Sequence, residues 1–240
     1  MAKDKRIIDI ITTIAVIIIT PVFFVAISAL IPCTIRPFYY NSIGPLHIEE
    51  YSGFTRPVII EAFNDVMNFI WRGAEFKTGQ LAWTEAEKGH FQDCIPLFHL
   101  QLILSIVSGI LLITYIVLVK LKVLKPVHFK GFSPFMYGGA ISLVALAFVG
   151  IFAAIDFDTL FTIFHTIAFP GKENWVFDWD TEQIIRILPE SFFFTCAAFI
   201  ISMVIIQSIT VIVLGIIFRD KKKIPIEEEV EPVKEKDPAE

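Results

Sequence analysis

The 240-residue sequence has little charge and few cysteines. Only 19% of its residues are charged while 55% are hydrophobic, whereas a soluble domain carries about 25% charged residues. Its three cysteines are too few, and odd in number, for a disulfide framework. The sequence also lacks a glycine-rich nucleotide-binding loop and a basic patch of the nucleic-acid type. Nucleic acid is therefore excluded as an expected partner, and the composition indicates a membrane protein.

Long hydrophobic runs are what the sequence does have. Four are long enough to cross a bilayer, which requires roughly 20 apolar residues in a helix, and they cover residues 7–31, 97–121, 135–155 and 191–218. Helices are expected because lipid offers the backbone no hydrogen-bond partner. The sequence therefore predicts an all-α polytopic protein with one four-helix membrane domain over residues 1–222.

The orientation is predicted from the basic residues beside these runs. They precede the first run, lie in the connection between the second and third, and follow the fourth: Lys3, Lys5, Arg6, Lys120, Lys122, Lys125, Lys130, Arg219, Lys221, Lys222 and Lys223. Both termini are then cytoplasmic, and the long loops 32–96 and 156–190 face outward. The acidic, proline-containing segment 223–240 is expected to be a disordered cytoplasmic tail.

The first outer loop, residues 32–96, contains two predicted helices. Residues 36–53 have several prolines and glycines and are expected to be extended or irregular. Apolar residues at helical spacing over 55–71 predict an amphipathic helix that ends at Gly73. A further helix begins at Thr84, where Glu87 completes a capping box, and Pro96 is expected to kink the chain before the second span.

The second outer loop, residues 156–190, begins with a helix-capping pattern at Asp156. The helix that follows is apolar on most sides and carries His165. Beyond Pro170 and a turn, aromatic and acidic residues alternate, and Asp180 with Gln183 is expected to cap a short helix. A polar, aromatic insert of this kind between two membrane spans predicts a function at the membrane surface.

His90 and Asp93 are the first candidate functional pair. Residues three apart lie on one helical face, and a carboxylate there can fix the tautomer of an imidazole. The alternative is an ordinary surface pair. His165 has its own alternative, since a lone histidine on an apolar helix is commonly a buried structural residue.

Two longer segments resemble a known family. FHTIAFPGKENWVFDWDTEQIIRILPESFF, residues 164–193, resembles the signature of the four-helix Gram-positive membrane proteins that include the lipoprotein intramolecular transacylases. TEAEKGHFQDCIPLF, residues 84–98, resembles that family's second signature, in which an aspartate follows a histidine by three residues. Cys94 departs from the pattern, which more often has an aliphatic residue there.

The resemblance implies an enzyme of the cell membrane that needs no cofactor or metal. Such an enzyme moves the sn-2 acyl chain of a diacylglyceryl-cysteine lipoprotein to the α-amino group of the same cysteine. Its partners would be these lipoproteins and membrane lipids, and His90 and His165 would form the catalytic pair.

The reaction needs a base for the amine and a proton donor for the departing glyceryl oxygen. We assign His90, supported by Asp93, as the base and His165 as the acid or oxyanion donor, although the reverse allocation fits the sequence equally well. Cys94 is a conceivable nucleophile, but a cysteine in such a position is usually inert packing.

Weaker candidates for substrate binding complete the predicted site. They are Tyr51, Arg56, Asn174, Trp175, Asp178, Arg186 and Glu190. Each has a structural alternative: Asn174 suits a turn, Trp175 suits an interface anchor, and Arg186 can pair with Glu190. Cys33 and Cys94 both lie near the predicted outer face, and the sequence leaves their pairing open.

Two other functions remain open at this point. A metal-dependent membrane hydrolase would use His90, Asp93, His165 and a further carboxylate such as Asp158 or Asp178, although the sequence lacks a compact HExxH-type motif. A non-enzymatic module that binds lipid or a protein partner would need neither histidine. Loss of activity on chelation would indicate the first, and insensitivity to loss of both histidines would indicate the second.

Overall fold

The computed structural model describes residues 2–219, with side chains from Asp4 onward. The helices in this part are α1 (Ala2–Thr34), α2 (Arg36–Ser42), α3 (Ile48–Ser52), α4 (Arg56–Arg72), α5 (Glu85–Lys120), α6 (Pro134–Ile155), α7 (Phe157–Ala168), α8 (Ile184–Ile187) and α9 (Glu190–Ile217). The predicted all-α class is confirmed. The predicted tail, residues 223–240, lies outside the described residues.

Four of the helices, α1, α5, α6 and α9, are long and apolar enough to cross a membrane. In the bundle α1 packs against each of the other three, and α6 packs against α9. Large apolar side chains cover the outer surface of the bundle, among them Ile11, Ile113 and Ile151, each about 60% exposed. Such a surface suits lipid rather than water, so the predicted four-span membrane protein is confirmed.

Buried polar contacts fix the helices of the bundle. The Gln207 side-chain amide donates to Ser28 Oγ (2.9 Å), which joins α9 to α1, and the Gln101 amide donates to the Ala26 carbonyl (2.6 Å), which joins α5 to α1. Asp9 accepts from the Lys125 backbone N–H (2.9 Å). Asp9 thus holds the α5–α6 connection against the first turns of α1.

Residues 35–96 and 156–189 pack together at one end of the bundle and are called the head from here on. Tyr39 lies at the centre of their shared core, where it stacks on Phe63 (3.9 Å between ring centroids) and meets the edge of Phe192 (5.0 Å). The Tyr39 hydroxyl donates to the Ile187 carbonyl (2.6 Å). The two long loops therefore fold as one unit.

Three of the predicted helix boundaries are confirmed. Thr84 and Glu87 form the full capping box at the start of α5, and the Asp156 carboxylate accepts from the Thr159 N–H at the start of α7 (2.9 Å). Gly73, with a φ of 64°, ends α4. These signals succeed because each is a local contact that needs no tertiary partner.

The prediction that residues 36–53 are irregular is wrong. This segment contains α2 and α3, whose side chains Tyr39, Ile43 and Ile48 are buried in the head core. Pro37 lies in the first turn of α2, where a helix tolerates proline. Packing against the second loop stabilises short helices that would not persist alone.

One further prediction in the loops needs correction. The predicted cap by Asp180 and Gln183 is wrong, because α8 begins without a side-chain cap. The Gln183 side chain instead accepts from the Ala82 N–H (2.9 Å), a contact between the two loops. Pro96 lies inside α5, which joins the helix predicted from Thr84 to the second span.

Candidate active site

The fold brings His90 and His165 together, 75 positions apart in the chain. Their ring centroids are 5.8 Å apart, and each residue is 7% exposed. The 36 residues of α5 extend about 54 Å, whereas hydrocarbon is about 30 Å thick. The first turns of α5, which carry His90, therefore stand in the head. The histidine pair lies where the head meets the bundle.

Aromatic side chains enclose the two imidazoles. Phe169 and Phe177 lie 5.1 and 5.4 Å from the His90 ring, centroid to centroid. Phe161 lies 4.0 Å from the His165 ring, and Trp175 stacks on it at 4.8 Å. We call this enclosure the aromatic chamber. Its walls lower the local dielectric, which strengthens every polar interaction inside.

The backbone fixes the tautomer of His165. Its Nδ1 lies 2.8 Å from the Phe161 carbonyl oxygen, one helical turn earlier. A carbonyl only accepts, so Nδ1 carries the hydrogen and the neutral ring has its lone pair on Nε2. Burial lowers the pKa of His165 below its usual range, although the bond to Phe161 opposes this shift. His165 is thus a neutral imidazole with a free acceptor.

His90, unlike His165, has a buried ring nitrogen at Nδ1 that has no hydrogen-bond partner. Its Nδ1 is buried and makes no hydrogen bond in the structure, while its Nε2 lies 3.6 Å from the thiol of Cys94. Leaving a buried polar atom unpaired costs about 1–3 kcal/mol. A bound substrate group that pairs with Nδ1 would recover that energy.

Asp93 does not support His90 through the hydrogen bond that the sequence predicts. Its Oδ2 accepts from the Asn174 side-chain amide (3.0 Å), and its Oδ1 accepts from Lys172 Nζ. The segment 172–175 crosses α5 so closely that a Cβ on Gly89 would lie 3.4 Å from Asn174 Nδ2. Asp93 therefore ties the second loop down over the histidines, and we call these bonds the Asp93 clamp.

Two of the weaker predicted site residues, Trp175 and Asn174, lie beside the histidine pair. Trp175 stacks on the His165 ring and forms a wall of the aromatic chamber. Asn174 belongs to the Asp93 clamp, and its Oδ1 is buried without a partner.

Four of the remaining five make their contacts elsewhere in the head, and for all five a substrate-binding role stays a prediction. Tyr51 packs on Trp179, and Arg186 donates to the carbonyls of Trp179 and Asp180 rather than pairing with Glu190. Arg56 donates to the Tyr40 carbonyl, and Asp178 accepts from backbone N–H groups of its own turn. Glu190 is the exposed first residue of α9.

Several residues that build the site were not predicted from the sequence. Phe169 and Phe177 wall the chamber, and Lys172 closes the Asp93 clamp. Only the position of Phe161 was predictable from the sequence. It precedes His165 by four residues on an apolar helix, so one helical turn places it beside the His165 ring. The others depend on how the second loop folds back.

The cysteines and the acidic residues form no further centre in the described part of the chain. Cys33, Cys94 and Cys196 are free thiols. Within residues 2–219, no group of three or more His, Cys, Asp or Glu side chains is arranged to hold a metal ion.

We predict that Asp93→Ala frees the segment 170–177. The variant loses two bonds to an ionised carboxylate, and amide hydrogen exchange in this segment should rise about tenfold or more. Hydrogen exchange read by mass spectrometry checks this. Lys88→Ala is the matched control, since it removes another Lys–carboxylate pair of α5, with Glu85, that does not reach the second loop. Unchanged exchange in Asp93→Ala would show that Asp93 does not hold the loop.

Comparisons with known proteins agree with this architecture. The model of the family described as "Lipoprotein intramolecular transacylase Lit" matches residues 14–193, three-quarters of the chain. No curated protein matches.

Solved structures share the fold. The membrane-integral lipoprotein intramolecular transacylase Lit from Bacillus cereus is similar with a TM-score of 0.77 and 21% identity, over 88% of this chain and 95% of that chain. A variant of the same enzyme, with one histidine changed to arginine, gives 0.71 and 20%, over 90% and 94%. Since the family model covers well over half of the sequence, the chain belongs to the lipoprotein intramolecular transacylase Lit family.

Proposed function

We propose that this membrane-embedded transacylase moves the sn-2 acyl chain of a diacylglyceryl-cysteine lipoprotein to the α-amino group of that cysteine. One observation carries the proposal: two buried histidines, each with a ring nitrogen that has no protein partner, lie 5.8 Å apart between ring centroids inside the aromatic chamber. The substrate class comes from family membership. The product is a lipoprotein with one glyceryl ester and one N-acyl group.

We infer that the head faces outward and that both termini are cytoplasmic. The opposite end of the bundle carries the α5–α6 connection with Lys122, Lys125 and Lys130, as well as the start of α1 with Lys5 and Arg6. Basic residues of this kind favour the cytoplasmic side. The chamber then lies at the outer face of the cell membrane, at the depth where a lipoprotein's ester groups lie.

The reaction joins two groups of one molecule. The amine nitrogen attacks the ester carbonyl carbon, a C–N bond forms, the bond from that carbon to the glyceryl oxygen breaks, and the amine proton replaces it on that oxygen. Closing amine onto ester forms a ring of roughly eight atoms, so holding the reactive conformer supplies much of the acceleration. A narrow chamber suits this task because it restricts the substrate to folded conformers.

His165 is the better base, which reverses the allocation that we made from the sequence. Its Nε2 lone pair is available because Nδ1–H is committed to the Phe161 carbonyl, and its lowered pKa keeps the ring neutral near pH 7. The Asp93 carboxylate, which would have strengthened His90 as a base, is committed to Lys172 and Asn174. His165 therefore accepts the proton of the attacking amine.

His90 then serves as the hydrogen-bond donor. When its Nε2 accepts the thiol hydrogen of Cys94, its Nδ1 carries a hydrogen and has no protein partner. A neutral imidazole N–H in a low-dielectric site stabilises a developing oxyanion, and the donor is already in place before the reaction begins. His90 thus stabilises the tetrahedral intermediate at the ester carbonyl.

The aromatic walls protect this chemistry from water. An activated ester next to a general base would be hydrolysed if water reached it, and the acyl chain would be lost as a free acid. Phe161, Phe169, Phe177 and Trp175 surround the histidines on the head side. Exclusion of water is one accepted role of an enclosed site, and here it directs the acyl group to the amine.

The test is mass spectrometry of lipoprotein N-terminal peptides from cells with and without this protein. Expression should convert diacylglyceryl-cysteine with a free amine into N-acyl, monoacylglyceryl-cysteine. The purified protein should do the same to a synthetic diacylglyceryl-cysteine lipopeptide in bilayers. If the peptides stay unchanged while the protein is present in the membrane, the proposal is wrong.

We predict that Cys94→Ala keeps most of the activity. No acyl-enzyme is required when the amine attacks directly, and the buried thiol is a weak nucleophile. Loss of its contact with His90 should reduce the rate less than about tenfold, because a weak hydrogen bond is removed. Conversion of the lipopeptide over time measures this, with Cys196→Ala as the matched control. A complete loss in Cys94→Ala with normal folding would indicate covalent catalysis.

A further inference from the structure

An apolar groove lies between α6 and α9 in the half of the bundle next to the head. Its volume is about 550 Å³, and its lining includes Leu143, Ala147, Gly150, Ala154, Ala198 and Ile201. Ser202 is the one hydroxyl among the lining residues, and it donates to the Ala198 carbonyl of its own helix (2.8 Å). The groove therefore offers no polar group to a ligand.

The groove exists because α6 and α9 diverge toward the head. At their other ends the two helices touch: a Cβ on Gly139 would lie 2.5 Å from Val211, and one on Gly215 would lie 2.7 Å from Met136. At Gly150 an added Cβ would meet only Ile201, at 3.9 Å. Small residues that elsewhere permit close helix packing here leave open space.

The length of the groove matches one leaflet of a bilayer. From Leu143 to Ala154 the lining of α6 extends about 17 Å, and the lining of α9 from Phe194 to Ile205 extends the same distance. Hydrocarbon is about 30 Å thick, so one leaflet is about half of that. An acyl chain is the membrane component that spans one leaflet.

Packed aromatic rings connect the head-side end of the groove to the aromatic chamber. At its head-side end Phe194 meets the edge of Phe157, the first residue of α7, at 5.3 Å. Phe157 packs on Phe161 at 6.2 Å, and Phe161 packs on the His165 ring at 4.0 Å. An unbroken line of aromatic contacts therefore runs from the groove to the proposed base.

We propose that the α6–α9 groove binds an acyl chain of the diacylglyceryl substrate and so sets the register of its ester groups in the chamber. The proposal rests on the proposed function for the identity of the lipid. Lipid tails are as apolar as the groove, so the gain is not hydrophobic. The groove restricts the direction of the chain, which reduces the conformers that the enzyme must sample.

Filling the groove tests the proposal. Ala154 and Ala198 line it and are exposed, so the double variant Ala154→Phe with Ala198→Phe blocks the groove without disturbing the buried packing. We expect kcat/KM for a lipopeptide with long acyl chains to fall about tenfold or more, while a lipopeptide with chains too short to enter the groove is converted at the wild-type rate. Ala145→Phe, an exposed position of α6 outside the groove, is the matched control and should change neither rate.

A binding measurement separates failure of this proposal from failure of the proposed function. A lipopeptide with a photoreactive group near the end of its acyl chain should crosslink to the groove segments 143–154 and 194–205 whether or not turnover occurs. Crosslinks spread evenly over the lipid-facing helices, or equal loss of activity with short and long chains, would overturn the groove. A wild-type protein that crosslinks in the groove but converts nothing would overturn the function instead.

Discussion

His165→Ala reduces conversion of a diacylglyceryl-cysteine lipopeptide by about 1000-fold. This is the result we expect, since removal of a general base costs about 10²–10⁴ in rate. The measurement is the initial rate of N-acyl product formation by mass spectrometry, with purified protein in bilayers. Thermal unfolding of each variant in detergent confirms that the protein remains folded.

His165→Gln should lose as much as His165→Ala. A glutamine fills the space and can donate a hydrogen bond, but it cannot accept a proton, so equal losses identify a base rather than a hydrogen-bond donor. His47→Gln is the matched control. His47 is exposed in the head, where it pairs with Glu50, and its replacement should leave the rate unchanged. Substantial activity in His165→Gln would contradict the role of base.

The rate of the wild-type enzyme should depend on pH through the protonation of His165. Burial lowers the pKa of His165 below 6.5, so the neutral, catalytic form is fully present above the unperturbed value and is lost as the pH falls through the lowered one. The substrate α-amine, with a pKa near 8, attacks only in its deprotonated form, so the rate also falls as the pH drops through that value. The rate therefore rises with pH and shows two acid limbs, of which the lower belongs to His165.

The sequence predicted the membrane architecture well because the bilayer imposes strong local rules. Each of the four apolar runs is a helix of the bundle, and the caps at Thr84 and Asp156 lie where the pattern indicated. Hydrophobic length and cap chemistry are read within one segment. The two histidines were identified through resemblance to a family, and the fold brings them together.

The details of the site could not be predicted because they depend on contacts between distant segments. The sequence pairs Asp93 with His90, its neighbour on the helix, but the structure gives the carboxylate to Lys172 and Asn174, about 80 positions later. Likewise tryptophan is a residue type typical of interface anchors, but Trp175 forms a wall of the aromatic chamber because the loop folds back over α5. Tertiary contacts of this kind override local patterns, and they give Asp93 and Trp175 partners that lie far from them in the sequence or beyond their own turn.

His90→Ala should lower the rate by about 100–1000-fold, the cost of removing one donor to an oxyanion. His90→Gln should recover part of that loss, because a glutamine N–H can also donate to the ester oxygen. The two positions are thus distinguished by one pair of substitutions: glutamine restores activity at His90 and does not at His165. The same rates and the same unfolding controls measure this.

The double variant His90→Ala with His165→Ala shows whether the two histidines act in the same step. If the two histidines act in one step on one substrate, losing both costs little more than losing His165 alone, because residues that act as a unit are not additive. If each served an independent step, the losses would multiply.

Recovery of activity by glutamine at His165 but not at His90 would restore the allocation in which His90 is the base. That allocation would require the Asp93 carboxylate to leave Lys172 and turn toward His90 when substrate binds.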